Sequence, residues 1–69
     1  MTLRQLELFL ALVKTPHLSQ VAKDFGLTQS AVSMAIKTLE ETLGKLLFDR
    51  IHKRLVVNEN GRYFFRMVD

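Results

Sequence analysis

Sixty-nine residues make one small domain, with a modest core and little room for a separate ligand pocket or catalytic cleft. An apolar fraction of 48% fits a globular fold rather than a disordered tail. No apolar run approaches the roughly 18 residues that cross a bilayer, and the lack of cysteine removes disulfides and thiolate metal sites, as suits a cytosolic protein. The formal charge of +3 lies wholly beyond residue 44. Up to that point Arg4, Lys14, Lys23 and Lys37 balance Glu7, Asp24, Glu40 and Glu41; beyond it Lys45, Arg50, Lys53, Arg54, Arg62 and Arg66 outnumber Asp49, Glu59 and Asp69. A basic end of this kind suits contact with phosphates, and on charge alone it suits a merely solvated cationic face equally well.

The first predicted helix runs from Leu3 to Lys14, with Leu3, Leu6, Leu10 and Val13 in steps of three and four on one face, widened by Phe9 and Leu12. Arg4, Gln5 and Glu7 interrupt the stretch, so it does not read as a signal peptide. Thr15-Pro16 ends it, because a residue before proline is pushed out of the α region. A second, short helix fits Leu18 to Phe25, with Ser19 as a cap or a first-turn phosphate ligand, and Gly26 supplies a position free to take a positive φ. The third helix is predicted from Thr28 as N-cap to about Leu43, its buried stripe Val32, Ile36, Leu39 and Leu43, with Gly44 as its stop. Leu46 to Arg50 and Leu55 to Val57 then read as two short strands around a basic connector, Ile51 to Arg54. Asn58 caps a fourth helix through Tyr63, Phe64, Phe65, Met67 and Val68. No stop signal follows, so the chain is expected to be a piece of a longer protein.

Three positions carry the strongest signal. Ala22 is small where two helices must approach, Gly26 makes the turn four residues on, and Val32 packs the next helix back six residues later. This is the skeleton of a helix-turn-helix, which holds its second helix steeply so that its N-terminal half can enter a major groove. A three-helix bundle used only for protein contact could share the same turn. The face of the third helix not used by the core holds Gln29, Ser30, Ser33, Met34 and Lys37. Gln29 can pair in bidentate fashion with adenine, the serines can reach phosphates or base edges, and Lys37 can meet the backbone. Gln and Ser are also simply good residues for the start of a helix.

An enzyme is a poor fit. Ser33, His52 and Asp49 contain the letters of a triad, but the predicted elements build no shared cleft. His17, expected in a solvated turn, and His52, expected between the strands, are too few for a metal site.

The stretch LSQVAKDFGLTQSAVSMAIKTLEETLGKLLFDR, residues 18–50, resembles the DNA-binding domain of LysR-type transcriptional regulators. The resemblance extends over essentially the whole chain: MTLRQLELFLALVK is similar to the family's first helix, LLFDR and the basic residues after it to its wing, and VVNENGRYFF to the start of its linker helix. It implies a mainly α winged helix-turn-helix over residues 1–57 and the start of a linker and dimerisation helix over 58–69. It also implies a homodimer or higher homo-oligomer on a pseudo-palindromic operator of double-stranded DNA, a small-molecule effector bound only by a C-terminal domain beyond this chain, and no cofactor for the domain itself. A cytoplasmic, nucleoid-associated protein would follow.

Carried over by position, Gln29, Ser30, Ser33 and Met34 match residues that face bases and phosphates. Arg50, Lys53 and Arg54 match wing residues at the minor groove and backbone, and Thr28 and Ser19 match phosphate contacts at helix starts. Two positions depart from the family pattern: Ser30 stands where proline is common, and Met34 where arginine is common. Met34 cannot read guanine with two hydrogen bonds as arginine can, so a weaker guanine requirement is expected. A winged-helix module that binds only protein is the rival reading, with the Tyr63-Phe64-Phe65 run as its apolar contact.

Overall fold

The computed structural model describes residues 1–52 and 54–68, so the wing contact expected at Lys53 lies outside the described residues. The first helix, α1 (Leu3–Lys14), opens on a reciprocal cap: Thr2 Oγ1 accepts from the Gln5 N–H at 3.2 Å, and Gln5 Oε1 accepts from the Thr2 N–H at 3.0 Å. Its buried side is rotated from the expected stripe, onto Phe9 and Leu12, which were expected to widen it, and Leu8. Leu3 is 73% exposed and Leu6, Leu10 and Val13 only border the core, whereas Leu8, Phe9 and Leu12 are fully buried. Both sets satisfy helical spacing, and the choice between them was made by the elements that cover the helix. Phe9 is met edge-on by the rings of Phe48 and Phe64, with centroids 5.6 and 5.1 Å away.

Helices α2 (Leu18–Phe25) and α3 (Gln29–Leu43) fall where the periodicity puts them. His17, not Ser19, occupies the N-cap of α2, and it makes no side-chain capping bond. Thr28 caps α3, its hydroxyl oxygen accepting from the Ala31 N–H at 3.0 Å. Gly44 closes α3 in the left-handed region at φ 71°.

The hairpin is shifted from its expected position. Strands β1 (Phe48–Ile51) and β2 (Arg54–Val57) pair antiparallel, Phe48 opposite Val57 and Ile51 opposite Arg54, so only two residues connect them. Leu46 and Leu47 stay outside the ladder because their backbone groups are engaged elsewhere. The Leu47 N–H donates to Glu40 Oε2 at 2.8 Å, and the Leu47 carbonyl accepts from the Asn58 N–H at 2.9 Å. The tight turn needs a positive φ, which His52 supplies at 57° without an Asn-Gly pair.

His17, although exposed, lies in no free turn. Its backbone forms an antiparallel bridge with Arg54, and the Leu55 N–H donates to the Pro16 carbonyl at 3.2 Å. The fourth helix, α4 (Glu59–Val68), starts at Asn58, whose Oδ1 accepts from the Gly61 N–H at 2.9 Å, and it turns Phe64 into the core. Among the described residues, four helices and one two-stranded hairpin make the mainly α winged helix-turn-helix anticipated from the sequence.

Candidate nucleic-acid interface

The geometry of the site begins at the turn between α2 and α3. Ala22 is 3% exposed and Val32 fully buried, so the two helices meet through a small side chain and a branched one. Gly26 takes φ 67°, and a Cβ there would meet nothing within 4 Å, so conformation rather than space asks for glycine. The turn is closed by the Leu27 N–H donating to the Ala22 carbonyl at 2.8 Å and the Gly26 N–H donating to the Lys23 carbonyl at 3.2 Å. Val32, Ile36 and Leu39, all at 0% exposure, then hold one side of α3 against the core.

The other side is open. Gln29, Ser30, Met34 and Lys37 are exposed and Ser33 is half-buried at the border. At about 100° per residue these five share an arc of roughly 140°. Met34, at 63% exposure, is an apolar side chain standing in water among polar neighbours. Thr28 and Ser19 are exposed at the starts of α3 and α2, as expected of residues that could meet phosphates, though the Thr28 oxygen already accepts the capping bond.

Besides Leu47, Phe48 and Leu55, which are buried in the core, three sets of polar contacts hold the wing beside α3. Glu40, only 6% exposed, accepts from the Leu47 N–H at 2.8 Å and the Phe48 N–H at 3.2 Å, so the end of α3 fixes the start of β1. Asn58 Nδ2 and Asn60 Nδ2 donate to the Leu46 carbonyl at 3.0 and 3.3 Å, which ties the same segment to α4. Pro16 and His17 flank β2 on its other edge. Arg50 on β1 reaches α3, its Nη1 donating to Ser33 Oγ at 3.0 Å, and Arg54 stands exposed at the start of β2. Among the described residues, Lys37, Arg50 and Arg54 form no ion pair, so their charges remain available to a polyanion.

The structure thus gathers Gln29, Ser30, Ser33, Met34 and Lys37 on one face of α3 and links that face to the wing through Arg50. The sequence reading missed Glu40, counted there only in the charge balance of residues 1–44. A signal was present, since Glu40 follows Ile36 by four residues and precedes Leu43 by three, which places an acid on the apolar stripe. Among the described residues no group of His, Asp or Glu is arranged to hold a metal ion, and no helix is long and apolar enough to cross a membrane.

Fold and exposed face together define a DNA-binding winged helix-turn-helix domain. Residues 3–62 match the family model described as bacterial regulatory helix-turn-helix protein, lysR family. The chain belongs to the LysR family of transcriptional regulators, a family of DNA-binding regulators and not of enzymes. It is 52% identical over 64 residues to the HTH-type transcriptional regulator YeiE of Escherichia coli (strain K12), a match covering 93% of this chain and 22% of that protein. It is 39% identical to the RuBisCO operon transcriptional regulator of Allochromatium vinosum, over 93% of this chain and 21% of that one. The chain therefore spans about a fifth of the length of these relatives.

Among solved structures, the CbnR DNA-binding domain in complex with DNA superposes with a TM-score of 0.90 at 27% identity, covering 97% of this chain and 77% of that one. The BenM DNA-binding domain on benA site 1 DNA gives 0.87 at 30% identity, covering 97% and 78%.

Proposed function

We propose that α3 lies in the major groove, with Gln29 and Met34 toward base edges and Ser30, Ser33 and Lys37 toward bases or phosphates at its flanks. Thr28 and Ser19 meet phosphates at the helix starts, and the wing brings Arg50, Lys53 and Arg54 to the backbone and the minor groove. The observation that carries this reading is the open face of α3: five residues with short or flexible arms, one cation among them, four of them exposed and Ser33 half-buried at the border. Residues 1–57 form the reading unit, and 58–69 begin a linker helix through which two copies pair on a pseudo-palindromic operator. Any effector acts through chain beyond this segment, and the regulator works in the cytoplasm on the nucleoid.

Selection of bound sites from random duplex DNA tests the assignment, followed by affinity measurements over a salt series. A recovered half-site and a steep fall of affinity with salt are expected, since each neutralised phosphate adds about 0.9 to the slope on B-DNA. Absence of duplex binding even at low salt would remove the reading.

A further inference from the structure

Arg50 is positioned by the fold in a way that its place in a basic hairpin does not require. Side chains opposite each other in an antiparallel pair share a face, and so do residues two apart along a strand. Arg50 lies opposite the buried Leu55 and two residues after the buried Phe48, so it leaves β1 on the inner face of the hairpin, toward the helices. There it runs past the edge of the core and ends on α3, where its Nη1 donates to Ser33 Oγ at 3.0 Å. Ser33 is half-buried, next in sequence to Val32, at the border between the core stripe and the open face. The hairpin base cannot easily slide away from this contact, because Glu40 holds one side of it and Pro16 the other.

From this geometry we propose that Ser33 is a positioning residue for Arg50, and that the two side chains form one seat for a single backbone phosphate at the junction of α3 and the wing. The chemistry of the pair suits an anion. Ser33 accepts one bond from Arg50, which leaves its own hydroxyl hydrogen to donate outward, while the guanidinium keeps four further N–H donors in a fixed plane. Hydroxyl and guanidinium so joined offer adjacent donors to one phosphate, and the guanidinium is oriented before the duplex arrives. Long side chains lose rotamer freedom on binding, and an arginine already held by Ser33 has less left to lose. The reading unit and the wing then act through one shared contact rather than two independent ones. This inference rests on the proposal that α3 and the wing face DNA.

A double-mutant cycle on the 69-residue chain tests it, using a duplex of random sequence at low salt. Ser33→Ala and Arg50→Ala are each expected to weaken binding about tenfold, the scale of one hydrogen bond to a charged group. Arg50→Ala should also flatten the salt slope by about one unit, and Ser33→Ala, which removes no charge, by less. In the Arg50→Ala background, Ser33→Ala should cost clearly less than in the unaltered chain, because only the hydroxyl's own outward bond is left to lose, and Ser33→Thr, which keeps the hydroxyl, should retain most of the affinity in the otherwise unaltered chain. Circular dichroism melts of every variant keep loss of folding apart from loss of contact. Additive losses would overturn the shared seat by making Ser33 an independent contact, and so would an unchanged affinity on Ser33→Ala. If Arg50→Ala and Arg54→Ala both left binding untouched, the DNA-facing assignment itself would fall, whereas an effect of Arg54→Ala alone would remove only the seat.

Discussion

Met34 puts a flexible thioether at the middle of the open face of α3, where a helix pressed into a major groove has most to read. A methionine has no donor for guanine, and its chain can touch a thymine methyl or fill an apolar gap. Met34→Arg should therefore add a preference for guanine at one base pair, by about 1–3 kcal/mol, in a binding-site selection. An unchanged base profile would mean that position 34 faces no base. Glu40 decides stability rather than reading. Its buried carboxylate accepts two backbone N–H bonds, so Glu40→Ala leaves two donors buried without partners and should cost about 2–4 kcal/mol in urea unfolding. Glu40→Gln keeps an acceptor oxygen and should lose clearly less. The two residues mark how far the sequence could be read. Met34 and its neighbours were legible because exposure follows from helical spacing alone, whereas the role of Glu40 depends on Leu47 and the first residue of a strand eight residues away, whose position the sequence did not set.

At the scale of elements, the helices were legible to the residue because proline, threonine and glycine punctuate them. The faces were not, since α1 carries two plausible apolar stripes and the elements packed on it, α2, α3 and the hairpin together with Phe64 of α4, choose Leu8, Phe9 and Leu12. Strand ends were misplaced for a similar reason: apolar patterning marks Leu46 and Leu47 as strand, and side chains of α3 and α4 take their backbone groups. Gly61 is the sharpest case. It reads as an ordinary glycine near a helix start, yet a Cβ there would run into the Leu47 carbonyl oxygen and the Val57 side chain. Gly61→Ala should push α4 off the hairpin and cost about 1–3 kcal/mol through overpacking against the backbone. Gly26→Ala should cost about 1–2 kcal/mol for a different reason, the left-handed φ, because the space around it is empty. Asparagine separates the two causes in thermal melts. It tolerates a positive φ, so Gly26→Asn should recover part of the loss, whereas Gly61→Asn should be at least as damaging as alanine.

For the whole molecule, the question is whether the reading unit can stand without the helix that follows it. A domain of this size has only about 3–10 kcal/mol of stability to lose, at roughly 0.05–0.15 kcal/mol per residue. α4 closes one side of the core with a single large ring. Phe64, 9% exposed, stacks edge-on against Phe9, and Asn58 joins the helix start to the Leu46–Leu47 segment. Truncating a buried phenylalanine costs about 3–5 kcal/mol, so Phe64→Ala should bring the chain close to its unfolding threshold. Removing residues 58–69 takes away that ring and the Asn58 bonds together, and uncovers Leu47 and Phe9. Chain 1–57 should therefore lose cooperative unfolding in near-UV circular dichroism and bind duplex DNA far more weakly, although every proposed contact residue is still present. A cooperative melt from that shorter chain would show that the helix rides on a finished domain. The expected loss instead makes the outer face of α4, with Tyr63 and Met67 exposed, part of the same folding unit as α3. A second copy covering that outer face would then stabilise the reading unit as well, and the melting temperature should rise with chain concentration.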